Sequence, residues 1–273
     1  MRLGIAALLL AVAATAPTAR GAPVAFVADL RGVATIEGNG ALRFLAELPA
    51  GTRVMLGSNA TASITYAATG TEFSLTGPGQ FLVSASEVVA ERGRPPKPRS
   101  VPSLSDHAVV ARAAQTATAS LRMRGLAANV PPALLEYPVS TKVSTLRPLL
   151  RWRAAPGEDH VVAVQDASGQ EIWKGRGKPE GIRPDLKLAA GTRYFWTVSA
   201  AAGTTVAEAH FETLTDDAIR RAEQSRRNAR SFADRVIHAL LLQEIGADQE
   251  SREAWAALAR ERPDLPELPA LAR

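Results

Sequence analysis

The chain has 273 residues, of which 46% are hydrophobic and 22% charged, and this balance excludes a wholly disordered protein. Its length allows two small domains, or one domain with appended segments. The net charge of +5 comes without a dense basic face, so we expect no nucleic-acid binding. Cysteine is absent, which excludes disulfides, Cys-ligated metals and a lipid-modified cysteine.

Residues 1–21 have the features of a secretory signal peptide. Arg2 gives a positively charged start, and the segment from Leu3 to Ala16 is uncharged and apolar. Ala19 and Gly21 are small residues at the positions that determine cleavage. The apolar segment is shorter than the roughly 20 residues that span a bilayer, although an uncleaved anchor is the alternative. We expect cleavage after Gly21, no stable membrane insertion afterwards, and an exported protein, either periplasmic in a Gram-negative bacterium or secreted.

Residues 22–124 are predicted to form an antiparallel β domain. Short alternating runs between glycine-rich turns fill the stretch from Gly32 to Ser84, as is typical of half-buried strands. The clearest set expected to share one face is Ala60, Ala62, Ile64 and Tyr66. Residues 91–102 contain four prolines and four basic residues, which predicts a solvated Pro-rich loop; contact with an anionic polymer is the alternative.

Alternation resumes between Ala108 and Arg124 and predicts one or two strands that close this domain. In this interpretation Leu121 and Met123 face the core, whereas Arg122 and Arg124 face solvent. Charged side chains on the outer face of an edge strand discourage strand addition by other chains.

The first domain resembles the FecR-like domain family of exported bacterial proteins. The residues that carry the resemblance are Gly32, Ala34, Ile36, Leu48, Gly51, Val54, Ser58, Asn59, Ala60, Ala62, Ile64, Tyr66, Gly70, Phe73, Leu75, Gly77, Pro78 and Gly79. The resemblance implies a small all-β unit of repeated hairpins.

Residues 125–136 are interpreted as a linker, and residues 137–213 as a second all-β domain. This segment resembles the fibronectin type III-like sandwich through a strand that ends in Trp152, a strand with Tyr194 and Trp196, and a closing strand with Phe211. The resemblance implies that these four aromatic residues pack in the core. His160 stands where an aromatic residue is common, and a half-buried imidazole is expected there.

Residues 214–263 are predicted to be helical. Thr215 and Ser231 are expected N-caps, Gly246 a helix end and Pro263 a stop. The last hairpin resembles one tetratricopeptide repeat, through Ala239, Leu242, Gly246, Trp255 and Pro263. A single repeat cannot bury its own apolar surface, so we expect it to pack within the chain, with a partner's surface as the alternative. Residues 264–273 are predicted to be a loose tail.

The sequence contains no motif that predicts catalytic, cofactor-binding or metal-binding residues. The histidines, His107, His160, His210 and His238, lack a second His or Cys at ligand spacing, and no Walker, dinucleotide or nucleophile-elbow pattern occurs. We therefore expect a protein that is not an enzyme and needs no cofactor. Paired carboxylates that meet only in space stay open, so an envelope hydrolase is a distant alternative.

The expected function is binding, as an adaptor or sensor in the cell envelope with protein partners. The alternative is a polysaccharide- or peptidoglycan-binding module. Its candidate ligand contacts are Trp173, Lys174 and Arg176, because Trp173 is expected beside an exposed glycine-rich loop at residues 174–181.

Overall fold

The computed structural model describes residues 21–106, 108–122, 135–153, 159–178, 181–200 and 205–273. Over these ranges the chain is mostly β with a C-terminal helical region, which confirms the predicted fold class. Several predictions lie outside the described residues: the signal peptide up to residue 20, His107, Met123, Arg124 and the part of the linker before Leu135.

The N-terminal unit consists of two five-stranded sheets packed face to face. The central sheet has the order β10-β7-β6-β1-β4, and the outer sheet has the order β3-β2-β5-β8-β9. The strands are β1 (Pro23–Arg31), β2 (Ala34–Ile36), β3 (Gly40–Ala41), β4 (Glu47–Pro49), β5 (Arg53–Leu56), β6 (Thr61–Tyr66), β7 (Thr71–Thr76), β8 (Gly79–Val83), β9 (Val88–Arg92) and β10 (Lys97–Ser100). Ala60, Ala62, Ile64 and Tyr66 are all buried between the sheets, as the alternation predicted.

Helices cover the other face of the central sheet. The helices are α1 (Ala108–Arg122), α2 (Asp216–Asn228), α3 (Phe232–Glu244), α4 (Asp248–Glu261) and α5 (Leu268–Leu271). Of these, α2 packs on α3 and contributes no residue to the core shared with the central sheet. Strand β1 contributes to both cores, because Val27 packs between the sheets whereas Phe26 and Ala28 pack under the helices. Outer sheet, central sheet and helices therefore form three layers, with the central sheet buried on both faces.

Three predictions about this unit are wrong. Residues 108–122 form helix α1 and not closing strands, because Val109, Val110 and Ala113 share one helical face in the core beneath α3 and α5. The supposed Pro-rich loop contains the end of β9 and the whole of β10, which are edge strands where proline is tolerated. The supposed loose tail contains α5, and Leu268 is fully buried.

The second β unit is also built from two sheets. It contains β11 (Leu135–Tyr137), β12 (Thr141–Val143), β13 (Arg151–Trp152), β14 (His160–Gln165), β15 (Glu171–Gly177), β16 (Arg193–Ala200) and β17 (Thr205–Thr213). A two-stranded sheet, β11-β13, packs on a five-stranded sheet of order β12-β17-β16-β14-β15. Trp152, Tyr194, Trp196 and Phe211 are buried in this core as expected. His160 is buried more deeply than predicted, with its ring 5.9 Å from that of Trp152.

The helix ends agree with the capping residues predicted from the sequence. Thr215 accepts a hydrogen bond from the backbone N–H of Ala218, and Ser231 and Asp234 form a reciprocal capping box at the start of α3. Gly246 follows α3 with a φ of 82°, a left-handed conformation that favours glycine. None of the helices in the described ranges combines the length and apolar character needed to cross a membrane.

Candidate binding groove

A groove of about 440 Å³ lies between α2 and the chain segment 99–103, with α3 at its base. Its volume is within the range of pockets that bind small ligands or short segments. The residues that line it are Arg99, Ser100, Val101, Pro102, Ser103, Arg221, Gln224, Ser225, Asn228, Arg230, Asp234 and Leu241. Most of these side chains are polar, so the groove presents hydrogen-bond donors and acceptors to an occupant.

One wall of the groove is a single face of α2. Arg221, Gln224, Ser225 and Asn228 have the spacing i, i+3, i+4 and i+7, which places them side by side along the helix. Ser225 is buried, and its hydroxyl lies 3.2 Å from Nδ1 of His238 on α3. Burial and the nearby charge of Arg226 lower the pKa of His238, which favours the neutral imidazole at this contact.

The other wall is formed by β10 and the residues that follow it. Val101 donates its backbone N–H to the Gly70 carbonyl at 2.8 Å, toward β7. By alternation, the backbone N–H of Ser100 points to the free edge of the strand. Pro98 and Pro102 flank Ser100 and have no N–H, so this edge is poorly suited to pairing with another strand. An occupant of the groove would therefore be held mainly by side chains.

Arg99 is fixed by two acidic side chains. Its guanidinium contacts the carboxylate of Glu72 on β7 at 2.7 and 2.9 Å, and that of Asp234 on α3 at 2.6 Å. Glu72 is only 1% exposed, and its burial raises its pKa even though Arg99 acts in the opposite direction. For Asp234, burial also opposes ionisation, but hydrogen bonds from Ser231 and Arg99 outweigh it and lower the pKa. This cluster ties the start of α3 to the edge of the central sheet.

Two further arginines complete the basic lining. Arg221 donates to the buried carboxylate of Glu244 at 2.8 Å, and Glu244 also accepts the backbone N–H of Ser105 at 2.8 Å. Arg230 is exposed, and within the described part of the chain its guanidinium contacts no carboxylate. Its backbone is held, because its N–H donates to Asp234 at 3.3 Å and its carbonyl accepts from Arg235 at 3.0 Å.

The three candidate residues predicted from the sequence lie elsewhere, on β15 of the second β unit. The glycine-rich segment begins as an edge strand and not as a loop, and strand alternation places Trp173 on the face opposite Lys174 and Arg176. Trp173 is half-buried, and its indole N–H donates to Asp185 at 2.6 Å; Lys174 lies 3.5 Å from Glu171. The structure thus does not bring the three side chains together on one surface, and the glycan alternative stays a prediction.

Comparison with protein-family models and with curated proteins gives no match for this chain. The resemblances to FecR-like, fibronectin type III-like and tetratricopeptide families therefore stay predictions. Across the described ranges, no group of three or more His, Cys, Asp or Glu side chains is placed to hold a metal ion.

Sequence reasoning missed the groove because its walls come from distant parts of the chain. The sequence predicts a solvated loop around Arg99 and a helical segment at residues 214–263, with no sign that the two meet. The sequence did contain one signal: the polar residues Arg221, Gln224 and Asn228 recur at helical spacing and so lie on one face of the helix. Nothing in the local sequence shows that β10 lies opposite that face.

Proposed function

We propose that this protein is a non-catalytic binding protein of the bacterial cell envelope, exported by its signal peptide, and that it holds a segment of a partner protein in the groove between α2 and residues 99–103. The observation that carries the proposal is the groove itself, with a polar lining drawn from a strand edge and two helices. Both walls rest on a rigid base, because α3 packs directly on the central sheet.

Two of the arginines that line the groove support recognition because ion pairs already restrict their side-chain conformations. Arg99 is held by Glu72 and Asp234, and Arg221 by Glu244. Side chains fixed before binding lose less entropy when a partner arrives, so such a site gains affinity from preorganisation. Arg230 alone keeps a free guanidinium among the described lining residues and offers a direct contact.

Site-specific photo-crosslinking in intact cells tests this proposal. A benzophenone amino acid is placed at Gln224, which lines the groove, or at Arg227, which is exposed on α2 outside the lining. We expect position 224 to give one discrete adduct with a protein in the periplasmic fraction, position 227 to give none, and Arg230→Ala to remove the adduct at 224. Identical adducts at both positions, or none at 224, would contradict the proposal.

A further inference from the structure

The partner segment in this groove has a definite chemistry. We infer that the groove recognises an extended acidic peptide with two carboxylates about three residues apart. This inference rests on the proposed function, since it names the ligand class of the same groove.

The charge of the lining favours an anion. Arg99, Arg221 and Arg230 carry three positive charges, whereas Asp234 is the one acidic side chain among the lining residues described. The carboxylates of Glu72 and Glu244 lie behind the arginines and are buried. An incoming carboxylate therefore meets guanidinium groups first, and Arg–carboxylate contacts are strong and directional.

Two of the arginines have N–H groups that are available to bind a ligand. Arg221 uses one terminal nitrogen on Glu244, and a guanidinium has five N–H groups. Arg230 has no carboxylate partner within the described ranges, while its backbone is anchored on both sides. Arg221 lies within α2 and Arg230 lies two residues beyond its last residue, Asn228, so the groove has two arginines that can bind negative charge.

The separation of these anchors fits a peptide. The α2 face from Arg221 to Asn228 spans about 10 Å at 1.5 Å per residue, and Arg230 lies just past its end. An extended chain covers about 10 Å in three residues. Two acidic side chains about three positions apart would therefore be spaced like the two ends of this helix face, whereas a single phosphate or carboxylate would occupy one end.

The rest of the lining also favours a peptide over a sugar. Gln224, Asn228, Ser100 and Ser103 offer amide and hydroxyl groups that both donate and accept, which suits peptide N–H and C=O groups. The described lining has no aromatic side chain on which a sugar ring would stack. The flanking prolines of β10 leave one outward N–H, so side chains and not a strand ladder should hold the peptide.

Fluorescence anisotropy with the mature chain tests the inference. The probe is a fluorescein-labelled octapeptide of glycine and serine with two aspartates three positions apart, and the matched probe carries asparagines instead. We expect binding of the aspartate probe, about tenfold weaker binding of the asparagine probe, and about tenfold weaker binding to Arg230→Ala, with partial recovery in Arg230→Lys. Arg227→Ala is the matched control and should change the affinity less than about twofold.

Several results would overturn the inference. These are equal binding of the two probes, an equal effect of Arg227→Ala and Arg230→Ala, or equal affinity for a peptide with adjacent aspartates. Binding of anionic phospholipid vesicles with the same dependence on Arg230 would assign the site to a lipid instead. Circular dichroism should show that Arg230→Ala is folded, because the backbone bonds of Arg230 remain. If the peptide fails to bind while the crosslink at Gln224 persists, this inference fails and the proposed function stands; if the crosslink is also absent, both fail.

Discussion

The two β units of this protein are both two-sheet structures, but they meet the helical region in different ways. The first unit shares an apolar core with the helices, to which Phe26 and Phe44 contribute from the β side and Phe232 and Ile237 from α3. The aromatic core of the second unit contains no residue from the helices, and this unit contacts the helices mostly through polar groups.

The polar contact of the second unit is centred on α4. Glu250 accepts hydrogen bonds from the Tyr137 hydroxyl at 2.8 Å, the Ser144 backbone N–H at 2.8 Å and the Ser144 hydroxyl at 2.5 Å. Arg151 pairs with Glu253, and its guanidinium also lies 5.3 Å from the centre of the Tyr137 ring. Four buried apolar residues, Leu214, Ala222, Leu242 and Ala247, add a hydrophobic cluster, against which partly buried side chains such as Ile219 and Ile245 pack.

This difference has a consequence for stability and for function. Apolar burial makes two elements fold as one cooperative unit, whereas hydrogen bonds at a small interface stabilise an orientation and couple the two elements less strongly. The first β unit and the helices should therefore unfold together and carry the groove as one rigid body. The second unit should unfold separately, and loss of its contacts should leave the groove intact.

The largest expected effect comes from Phe232→Ala. Phe232 is 5% exposed, its ring lies 6.1 Å from that of Phe44, and the Arg262 guanidinium lies 5.0 Å from its centre. Removing a buried aromatic ring should lower the free energy of unfolding of the first unit and the helices by about 3–5 kcal/mol. Hydrogen exchange in increasing urea, read by mass spectrometry, should show both regions opening together while β14 and β16 keep their protection.

The matched control for Phe232→Ala is Phe211→Ala, which removes a fully buried ring from the second unit. It should accelerate exchange in β14 and β16 and leave α3 protected. If each substitution opened all three regions equally, the two β units would form one cooperative unit and the comparison would be wrong.

A smaller effect is expected from Glu250→Ala, which removes the acceptor shared by Tyr137 and Ser144. Donors left without partners cost roughly 1–3 kcal/mol, so exchange at the Ser144 amide should become faster while the core of either unit is unchanged. Glu253→Ala breaks only the exposed pair with Arg151 and should cost less than about 1 kcal/mol. Equal effects of the two variants would show that Glu250 is not the centre of this contact.

A modest effect is expected from Asp234→Asn, and it depends on pH. The pKa of Asp234 is lowered in the folded chain from the model-peptide value of 3.8. Its carboxylate therefore stabilises the fold above pH 3.8, and this contribution is lost as pH falls through the lower native pKa. Asn keeps an acceptor for Ser231 but loses the charge, so at pH 7 the variant should be about 1 kcal/mol less stable.

Urea denaturation of both proteins at pH 7 and at pH 3 measures this difference. It should shrink at pH 3, below the unfolded-state pKa of 3.8, because unfolding of the wild-type chain is then accompanied by protonation of this carboxylate. A difference that is the same at both pH values would show that the contribution of Asp234 is not ionic. Ser231→Ala removes the cap hydroxyl, which also donates to the Asp234 carboxylate at 2.7 Å, so its effect of about 1 kcal/mol should likewise become smaller at pH 3.

Much of the fold could be predicted from local patterns, and the failures have a common cause. The alternation at Ala60–Tyr66, the caps at Thr215 and Ser231, and the core positions of Trp152 and Trp196 are all confirmed. The prediction of strands at residues 108–122 is wrong because the apparent alternation there is short, and the valines and alanines of this segment are compatible with a buried helix as well. The prediction of a loose tail is wrong because it relied on the prolines of this segment, whereas the neighbouring Leu268 and Leu271 pack into the core shared with the first β unit.

The burial of Glu72 is another feature that the local sequence could not predict. In an antiparallel strand of a two-layer sandwich its position faces water, and a charged residue there is ordinary. In this protein the helices cover that face, so Glu72 is buried and is balanced by Arg99, 27 residues along the chain. The candidate groove depends on that covering.

The amino-acid sequence by itself determined the period of the strands between Gly32 and Ser84, the helix caps at Thr215 and Ser231, and the aromatic core of the second unit, because these follow from steric and hydrogen-bonding preferences over a few neighbouring residues. Only the tertiary structure decided that the helices return to cover the first β unit and that Arg99, Arg221 and Arg230 line one groove. That outcome depends on which apolar faces bury each other across more than 100 residues of chain, and such pairing is a property of the packed molecule and not of any local pattern.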